Sequence, residues 1–468
     1  MDETIAILAD AARVLGPAYP DFAAEATAAT QRLEHRDWSV LVSGLCSVGK
    51  SSFVSALWGD SDLLPTAVRD CTQTNTLIRQ PAPGAPDRLI NLKYLERDAA
   101  IQFALKGLAC YRLTGMLQEF HGIDMPRLDE LPEDARLRCI ASEARRMYVS
   151  RNDILVLNEP LTDELEQLEN FIEFIDSPDY RPGASIAVRW EDRRDHLMGQ
   201  RRLDGRLTGT GRLMALEHVE LVRATHWQPS GGLRAPLLVD TPWIPALHNA
   251  RREDLILAQA LRADLLLVLA LPQRYECENW LQTLFRKRPE IAKTTVVIFN
   301  QIDTCDPRTL FSRDGFSGIF EDNKERLVKL GVDPANILVA CARMRFLQNA
   351  LAAQGDSSAG PELSPFGASG LPERIARLEK VLNQLREQAR SRPDGELKSK
   401  LLPACDLSDA GVETVRKRLE DLAVRTVFQR RRSALLKRVA GFDAIDLNPE
   451  QMSEWDRIRA KISALNRP

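Results

Sequence analysis

The sequence predicts an α/β protein: a mostly parallel central sheet covered by helices, one large helical insertion, and a short helical neck drawn from both ends of the chain. Three observations carry that expectation. Short, near-continuous apolar runs alternate with helical stretches, the pattern of strands buried on both faces. One of these runs, Trp38–Val42, leads directly into the glycine-rich turn GLCSVGKSS at Gly44–Ser52. Between about 96 and 212 the strand rhythm stops and helical periodicity replaces it.

At 468 residues the chain exceeds one small core, so two or three folding units are expected. Hydrophobic residues at 44% and charged residues at 28% fit an ordinary globular composition. The 63 Lys and Arg against 66 Asp and Glu leave −3, too little for a global field that recruits nucleic acid or an acidic membrane. The 8 cysteines are scattered, with no C-x-x-C and no histidine pair at ligand spacing. That predicts reduced thiols in a cytoplasmic setting and no zinc site. The acidic start, MDETIAILADAARVL, lacks the basic region of a signal peptide. The longest apolar run, Leu265–Leu271, falls far short of the roughly 20 residues that cross a bilayer, so no transmembrane segment is expected.

Along the chain, 1–36 reads as one or two helices broken near Gly16-Pro17 and Pro20. Ile5, Leu8 and Leu15 share a face of the first, and Phe22, Ala26, Ala29 and Leu33 a face of the second. Trp38–Val42 is the first strand, and SSFVSALWG continues as the helix after the turn. Further strands are expected at Leu89–Tyr94, Val219–Ala224, Leu237–Val239, Leu265–Ala270, Thr295–Phe299 and Ile337–Ala340. The helical interval ends in a charge-mixed stretch, WEDRRDHLMGQRRLDGRLTGTG, and reads as an insertion into the sheet domain. Gln354–Gly370 reads as a flexible loop. Beyond about 408 helices return. Val412, Val415, Leu419 and Leu422, and later Met452, Trp455, Ile458, Ile462 and Leu465, fall at near-heptad, coiled-coil-like spacing, which reads as a helix-packing face. The expected division is therefore 1–36 as neck, 37–95 as the first part of the sheet domain, 96–212 as insertion, 213–425 as its second part and 426–468 as returning neck.

The turn fits G-x-x-x-x-G-K-[ST], with Gly44, Gly49, Lys50 and Ser51 in the fixed places. Glycines let successive N–H groups turn inward around phosphates, through Cys46, Ser47, Val48 and Gly49 to Ser52 at the start of the helix. The helix adds its dipole and free N–H groups. Lys50 reaches the β and γ phosphates, and the Ser51 hydroxyl binds Mg²⁺. These are the parts of a P-loop nucleotide site.

Guanine is favoured over adenine by FNQID, Phe299–Asp303, which resembles the N-K-x-D guanine reader. A carboxylate at Asp303 accepts from guanine N1–H and the 2-amino group, a donor pair that adenine lacks. Asn300 is its supporting bracket, and Gln301 stands where a lysine stem usually covers the base. In LLVDTPW, Leu237–Trp243, Asp240 closes an apolar strand where it can hold Mg²⁺ through water. The expected ligands are thus GTP or GDP with Mg²⁺ in a P-loop GTPase domain.

Residues 32–79, RLEHRDWSVLVSGLCSVGKSSFVSALWGDSDLLPTAVRDCTQTNTLIR, resemble the start of the dynamin-like GTPases, especially the bacterial members. The resemblance extends over 32–95 and 214–345 and, loosely, 406–425. It implies that Ser47 helps to hold a monovalent cation, K⁺ or Na⁺, near the β and γ phosphates. It implies that Thr72, in CTQT, closes on Mg²⁺ and orients the attacking water. Ser47, Lys50 and Thr72 then carry catalysis, while Ser51, Thr72 and Asp240 serve the metal. It also implies a backbone contact to guanine around Ala342 in VACARM, and self-association across the nucleotide face. Trp243 stands where the family has the switch glycine, a departure that weighs against fast turnover.

Two functions follow from different classes. One is an active GTPase whose cycle drives assembly or remodelling of a partner or membrane. The other is a slow or inactive nucleotide-gated module that recruits a protein partner, such as a helical one. Lipid-binding stalks of the family are long, and about 60 residues follow the last strand-and-loop part here. QRRRSALLKR, Gln429–Arg438, reads first as a solvated helix face, with peripheral membrane contact as the competing reading. No basic groove interleaved with aromatics argues for nucleic acid. His226 and His248 read as structural or exposed.

Overall fold

The computed structural model describes residues 2–34, 36–44, 48–64, 74–106, 108–121, 128, 130–150, 159–192, 200–201, 207–208, 210–241, 259–272, 278–355 and 370–465. Contacts divide the chain into two units: Val40–Trp227 with Leu237–Thr414, and Met1–Ser39 with Gln228–Pro236 and Val415–Pro468.

The larger unit is mixed α/β around a nine-stranded, mostly parallel sheet. In chain order the strands are β1 (Ser39–Gly44), β2 (Asn75–Arg79), β3 (Leu89–Tyr94), β4 (Ser185–Arg189), β5 (Gln200–Arg201), β6 (Leu207–Thr208), β7 (Leu216–Val222), β8 (Leu237–Asp240), β9 (Leu265–Ala270), β10 (Thr295–Phe299) and β11 (Ile337–Val339). Their order across the sheet is β11-β10-β9-β1-β8-β2-β7-β3-β4, while β5 and β6 pair separately. The run β11-β10-β9-β1 is parallel throughout. Its sequences LLLVLA and TVVIF are buried at every position, as strands covered on both faces must be. Each fully buried aliphatic side chain there contributes about 1.5–3 kcal/mol. At the other end β7 pairs antiparallel with β3, and β3 with β4. There β3 reads LINLKY with alternating burial, the period of a strand with one wetter face.

The strands expected at 89–94, 265–270 and 295–299 form with those limits. The one expected at 219–224 instead spans Leu216–Val222. Four strands, β2, β4, β5 and β6, were not anticipated. Asn75–Arg79 (NTLIR) pairs with both β7 and β8, and Ser185–Arg189 (SIAVR) lies at the sheet edge, inside the interval expected to be mainly helical. Four helices of that interval, Arg97–Leu105, Leu108–His121, Glu133–Ser150 and Glu159–Asp176, pack on one another. Asp176 ties them, accepting from Arg97 at 2.8 Å and from Arg138 at 2.8 and 2.9 Å. Tyr94 on β3, Phe174 and Tyr180 form an aromatic trio with centroids 5.7–6.0 Å apart, seating the insertion on the sheet.

The smaller unit is helical, with Asp2–Leu15, Pro20–Glu34, Gln429–Ala440 and Pro449–Leu465 as its principal helices. Leu8, Leu15, Leu436, Trp455 and Ile462 are buried in its core. Phe442 meets the Tyr19 ring edge-on at 4.9 Å and the Phe22 ring at a tilt at 4.0 Å. This unit takes in Gln228–Pro236 and begins its last segment at Val415, where the sequence division placed a boundary at 425/426. Val415, Leu419 and Leu422 of that segment bury their side chains. The loop expected at 354–370 falls, apart from its ends, outside the described residues.

Candidate nucleotide-binding site

β1 and the helix Lys50–Trp58 fix the two ends of the glycine-rich turn. Gly44 has φ +150°, and a Cβ there would sit 2.5 Å from the Leu269 carbonyl oxygen of neighbouring β9. Gly49 has φ +84°, and a Cβ there would lie 2.9 Å from Asn300 Nδ2 and 3.3 Å from Gln301 Nε2. Both positions therefore exclude a side chain on steric and conformational grounds. Lys50, at the first turn of the helix and 8% exposed, donates from Nζ to the Gly44 carbonyl at 3.1 Å. Its ammonium is folded back over the turn. Ser52 follows in the same helical turn, and Val48 is fully buried.

Ser51 Oγ donates to Asp240 Oδ2 at 2.9 Å, across 189 positions of chain. Asp240 ends β8 and is fully buried; the next residue, Thr241, donates from its hydroxyl to the Val42 carbonyl of β1 at 2.8 Å. A serine hydroxyl beside a buried carboxylate is a pair of hard oxygen donors, the donor type that Mg²⁺ takes. The donor set therefore fits the expected ion. Among the described residues no group of three or more His, Cys, Asp or Glu is arranged to hold a metal.

Asn300 joins three segments. Its N–H donates to the Ala270 carbonyl at the end of β9 at 2.9 Å. Its Nδ2 donates to the Val48 carbonyl at 2.9 Å, and its Oδ1 accepts from the Ala342 N–H at 3.1 Å. It is 1% exposed, so these bonds form out of reach of water. Gln301 adopts a left-handed conformation, φ +62°, and turns the chain into a single 3-10 turn, Ile302–Thr304. That turn carries Asp303. Ala342, fully buried, opens the helix Ala342–Gly355, which packs on the helix Lys50–Trp58.

The surroundings of Asp303 were not legible in the sequence. Cys341 Sγ donates to Asp303 Oδ1 at 3.2 Å, and Arg343 Nη1 lies 3.5 Å from Oδ2. The Asp303 side chain is 3% exposed, whereas Arg343 is 52% exposed. Burial, reinforced by the Asp303 charge, pushes the Cys341 thiol well above its ordinary range, so it remains an S–H donor. Cys341 and Arg343 flank Ala342 directly, and their adjacency to that expected contact is the only signal that pointed to them. Gly411 supports the same corner: at φ +78°, a Cβ there would meet the Val339 carbonyl oxygen at 2.7 Å.

The structure thus brings Gly49, Lys50, Ser51 and Asp240 together on one side, and Asn300, Gln301, Asp303 and Ala342 on the other, with Asn300 joining the groups. Cys46, Ser47, Thr72 and Trp243 lie outside the described residues, as does His248. His226 is structural: its N–H donates to the Trp58 carbonyl at 3.2 Å and its ring packs on Gly59.

No family model and no curated protein matches the chain. Among solved structures, two chains of an oligomerised bacterial dynamin pair, described as providing a mechanism for long-range sensing and tethering of membranes, superpose with TM-scores of 0.40 at 11% and 12% identity. The matches cover 94% and 99% of this chain and 52% and 60% of those chains. At that identity and superposition the likeness carries no conclusion about activity. The chain spans little more than half the length of the proteins it is compared with. Among the described residues no helix is long and apolar enough to cross a membrane.

Proposed function

We propose that the chain is a GTP-binding protein of the dynamin-like type that hydrolyses GTP to GDP and phosphate, with the cycle coupled to assembly or remodelling of a partner or membrane. The observation that carries this reading is the Asn300 bridge, which holds the phosphate turn at Val48 and the Ala342 N–H in one hydrogen-bonded unit beside a nearly buried Asp303 carboxylate.

In this reading the backbone amides of the turn bind the phosphate tail, and Lys50 leaves its Gly44 carbonyl to meet the β and γ oxygens. Ser51 and Asp240 hold Mg²⁺, which when bound offsets charge on those oxygens. Asp303 accepts from the guanine N1–H and 2-amino group, and Cys341 keeps its carboxylate in place. Little is left for a general base, because phosphoryl transfer depends on positioning and charge neutralisation. Thr72 and a cation held by Ser47 complete the proposal, together with self-association across the nucleotide face.

Equilibrium titration with GTP, XTP and ATP tests the reading. The wild type is expected to prefer GTP, and Asp303→Asn to shift that preference toward XTP. ATP held as firmly as GTP would remove the assignment. Trp243 and Gln301 favour the second reading, a slow nucleotide-gated module. Phosphate release per molecule that rises with protein concentration, more so with K⁺, supports the hydrolytic cycle. Tight GTP binding without release supports the gated module.

A further inference from the structure

The Asp303 side chain is 3% exposed, too little for a base edge to reach both carboxylate oxygens unless a neighbour moves. Two polar groups lie against those oxygens. Cys341 Sγ donates to Oδ1 at 3.2 Å, and Arg343 Nη1 stands 3.5 Å from Oδ2. Cys341 is fully buried and its N–H is tied to the Ala410 carbonyl at 2.9 Å, so the thiol is held in the interior. The Arg343 side chain is 52% exposed, and its 3.5 Å approach is longer than a charge-assisted hydrogen bond of about 2.7–2.9 Å. The guanidinium is therefore a loose counter-ion, and of the two groups it is the one able to swing away.

Helix stability does not account for an arginine at this position. Arg343 is the second residue of the helix Ala342–Gly355, whose first turn holds no acidic residue. A cation there opposes the helix dipole, which favours anions at that end. Arg345, two positions on, is instead tied to the Ser408 carbonyl at 3.1 Å. What Arg343 gains at its place is the Asp303 carboxylate.

We infer that Arg343 is a displaceable counter-ion that competes with guanine for Asp303: it holds Oδ2 until the base edge moves it aside. The inference rests on the assignment of Asp303 to guanine. An ionised carboxylate accepts on both oxygens, and guanine brings a donor for each. Cys341 stays through the exchange, because Oδ1 keeps a second lone pair for the base. Arg343 has to yield, since its charged head meets Oδ2 from the exposed side by which a base arrives. Guanine replaces the lost ion pair with its own two donors, whereas adenine has no such pair to offer. Arg343 thus tempers the affinity for guanine nucleotides through the residue that selects them.

The test is calorimetric titration of the full chain with GDP and XDP in the presence of Mg²⁺. Arg343→Gln is expected to raise GDP affinity about two- to fivefold, the range of an exposed ion pair. In an Asp303→Asn background, with XDP as the probe, no carboxylate is left for Arg343 to hold, and adding Arg343→Gln is expected to change nothing. This non-additivity is the signature of a direct contact between the two residues. Circular dichroism and melting curves establish that each variant is folded, and Arg343→Gln is expected to melt no lower than the wild type. If the wild type prefers GDP to ADP and Arg343→Gln binds GDP no more tightly, the inference is overturned while the assignment of Asp303 stands. An equal gain in the Asp303→Asn background also overturns it. A wild type without guanine preference removes both.

Discussion

Asn300 Nδ2 donates to the Val48 carbonyl at 2.9 Å, although the two residues are 252 positions apart. The glycine-rich turn and the turn that carries Asp303 therefore share one buried side chain. Its other arm accepts from Ala342, so a third segment, 42 positions further on, depends on the same amide.

Asn300→Ala removes both bonds and leaves a buried carbonyl and a buried N–H without those partners. Each such group costs about 1–3 kcal/mol, so a loss of about 2–6 kcal/mol is expected. Urea denaturation reads it as a lower midpoint at an unchanged slope. Guanine-nucleotide affinity is expected to fall with it. A midpoint equal to that of the wild type would mean that the amide bridge contributes nothing.

Gly49→Ala places a Cβ 2.9 Å from Asn300 Nδ2 at a φ of +84°. A cost of at least about 1 kcal/mol is expected from the backbone alone. Because the same atoms crowd the phosphate turn, GTP affinity is expected to drop by at least about tenfold, whereas Lys50→Ala is expected to lose binding with little loss of stability. Fluorescence titration and thermal melting separate the two variants.

Asp176 provides a pH signature of the insertion. Hydrogen bonds from Arg138 and then Arg97 lower its carboxyl from 3.8 to about 2. A lowered folded value means that the stabilisation is fully present above about pH 4 and is lost as pH falls through about 2. Its side chain is 42% exposed, and solvent screening limits the contribution to about 1 kcal/mol or less. Asp176→Asn is expected to flatten the acid limb of stability between those values. Parallel urea series on both proteins would reveal a difference that grows with pH; a constant offset would discount the pairing.

The thiols of Cys341 and Cys405 are expected to be inert in the native state. Burial pushes Cys405 up to about 12 and raises Cys341 well above its ordinary range. At pH 8 a thiol with a pKa of about 12 is ionised to about one part in 10⁴, and thiolate is the reactive form. Labelling with a chromogenic disulfide should spare Cys341 and Cys405 until urea is added. Rapid native modification of either would show that this corner opens.

Much of the sheet was legible because its buried strands announce themselves locally. LLLVLA and TVVIF are apolar at every position and need no knowledge of their neighbours. The places of Gly44 and Gly49 were legible for the same reason, since each meets a backbone demand written into a few residues. NTLIR and SIAVR were not, because NTLIR is buried by its place between two strands and SIAVR, with no buried residue, is a strand only through its pairing with β3. The Asp303 clamp by Cys341 and Arg343 was likewise hidden: a thiol and a guanidinium at two adjoining positions have no spacing rule that aims them at a carboxylate.

By itself the sequence determined the apolar strands and the places of Gly44 and Gly49, because each follows from short-range periodicity or from a residue whose backbone freedom is unique. Only the tertiary structure decided that Asn300 links Val48 to Ala342 and that Ser51 lies against Asp240. Strand order and helix packing set those meetings, and they act between residues too far apart along the chain for any local pattern to record.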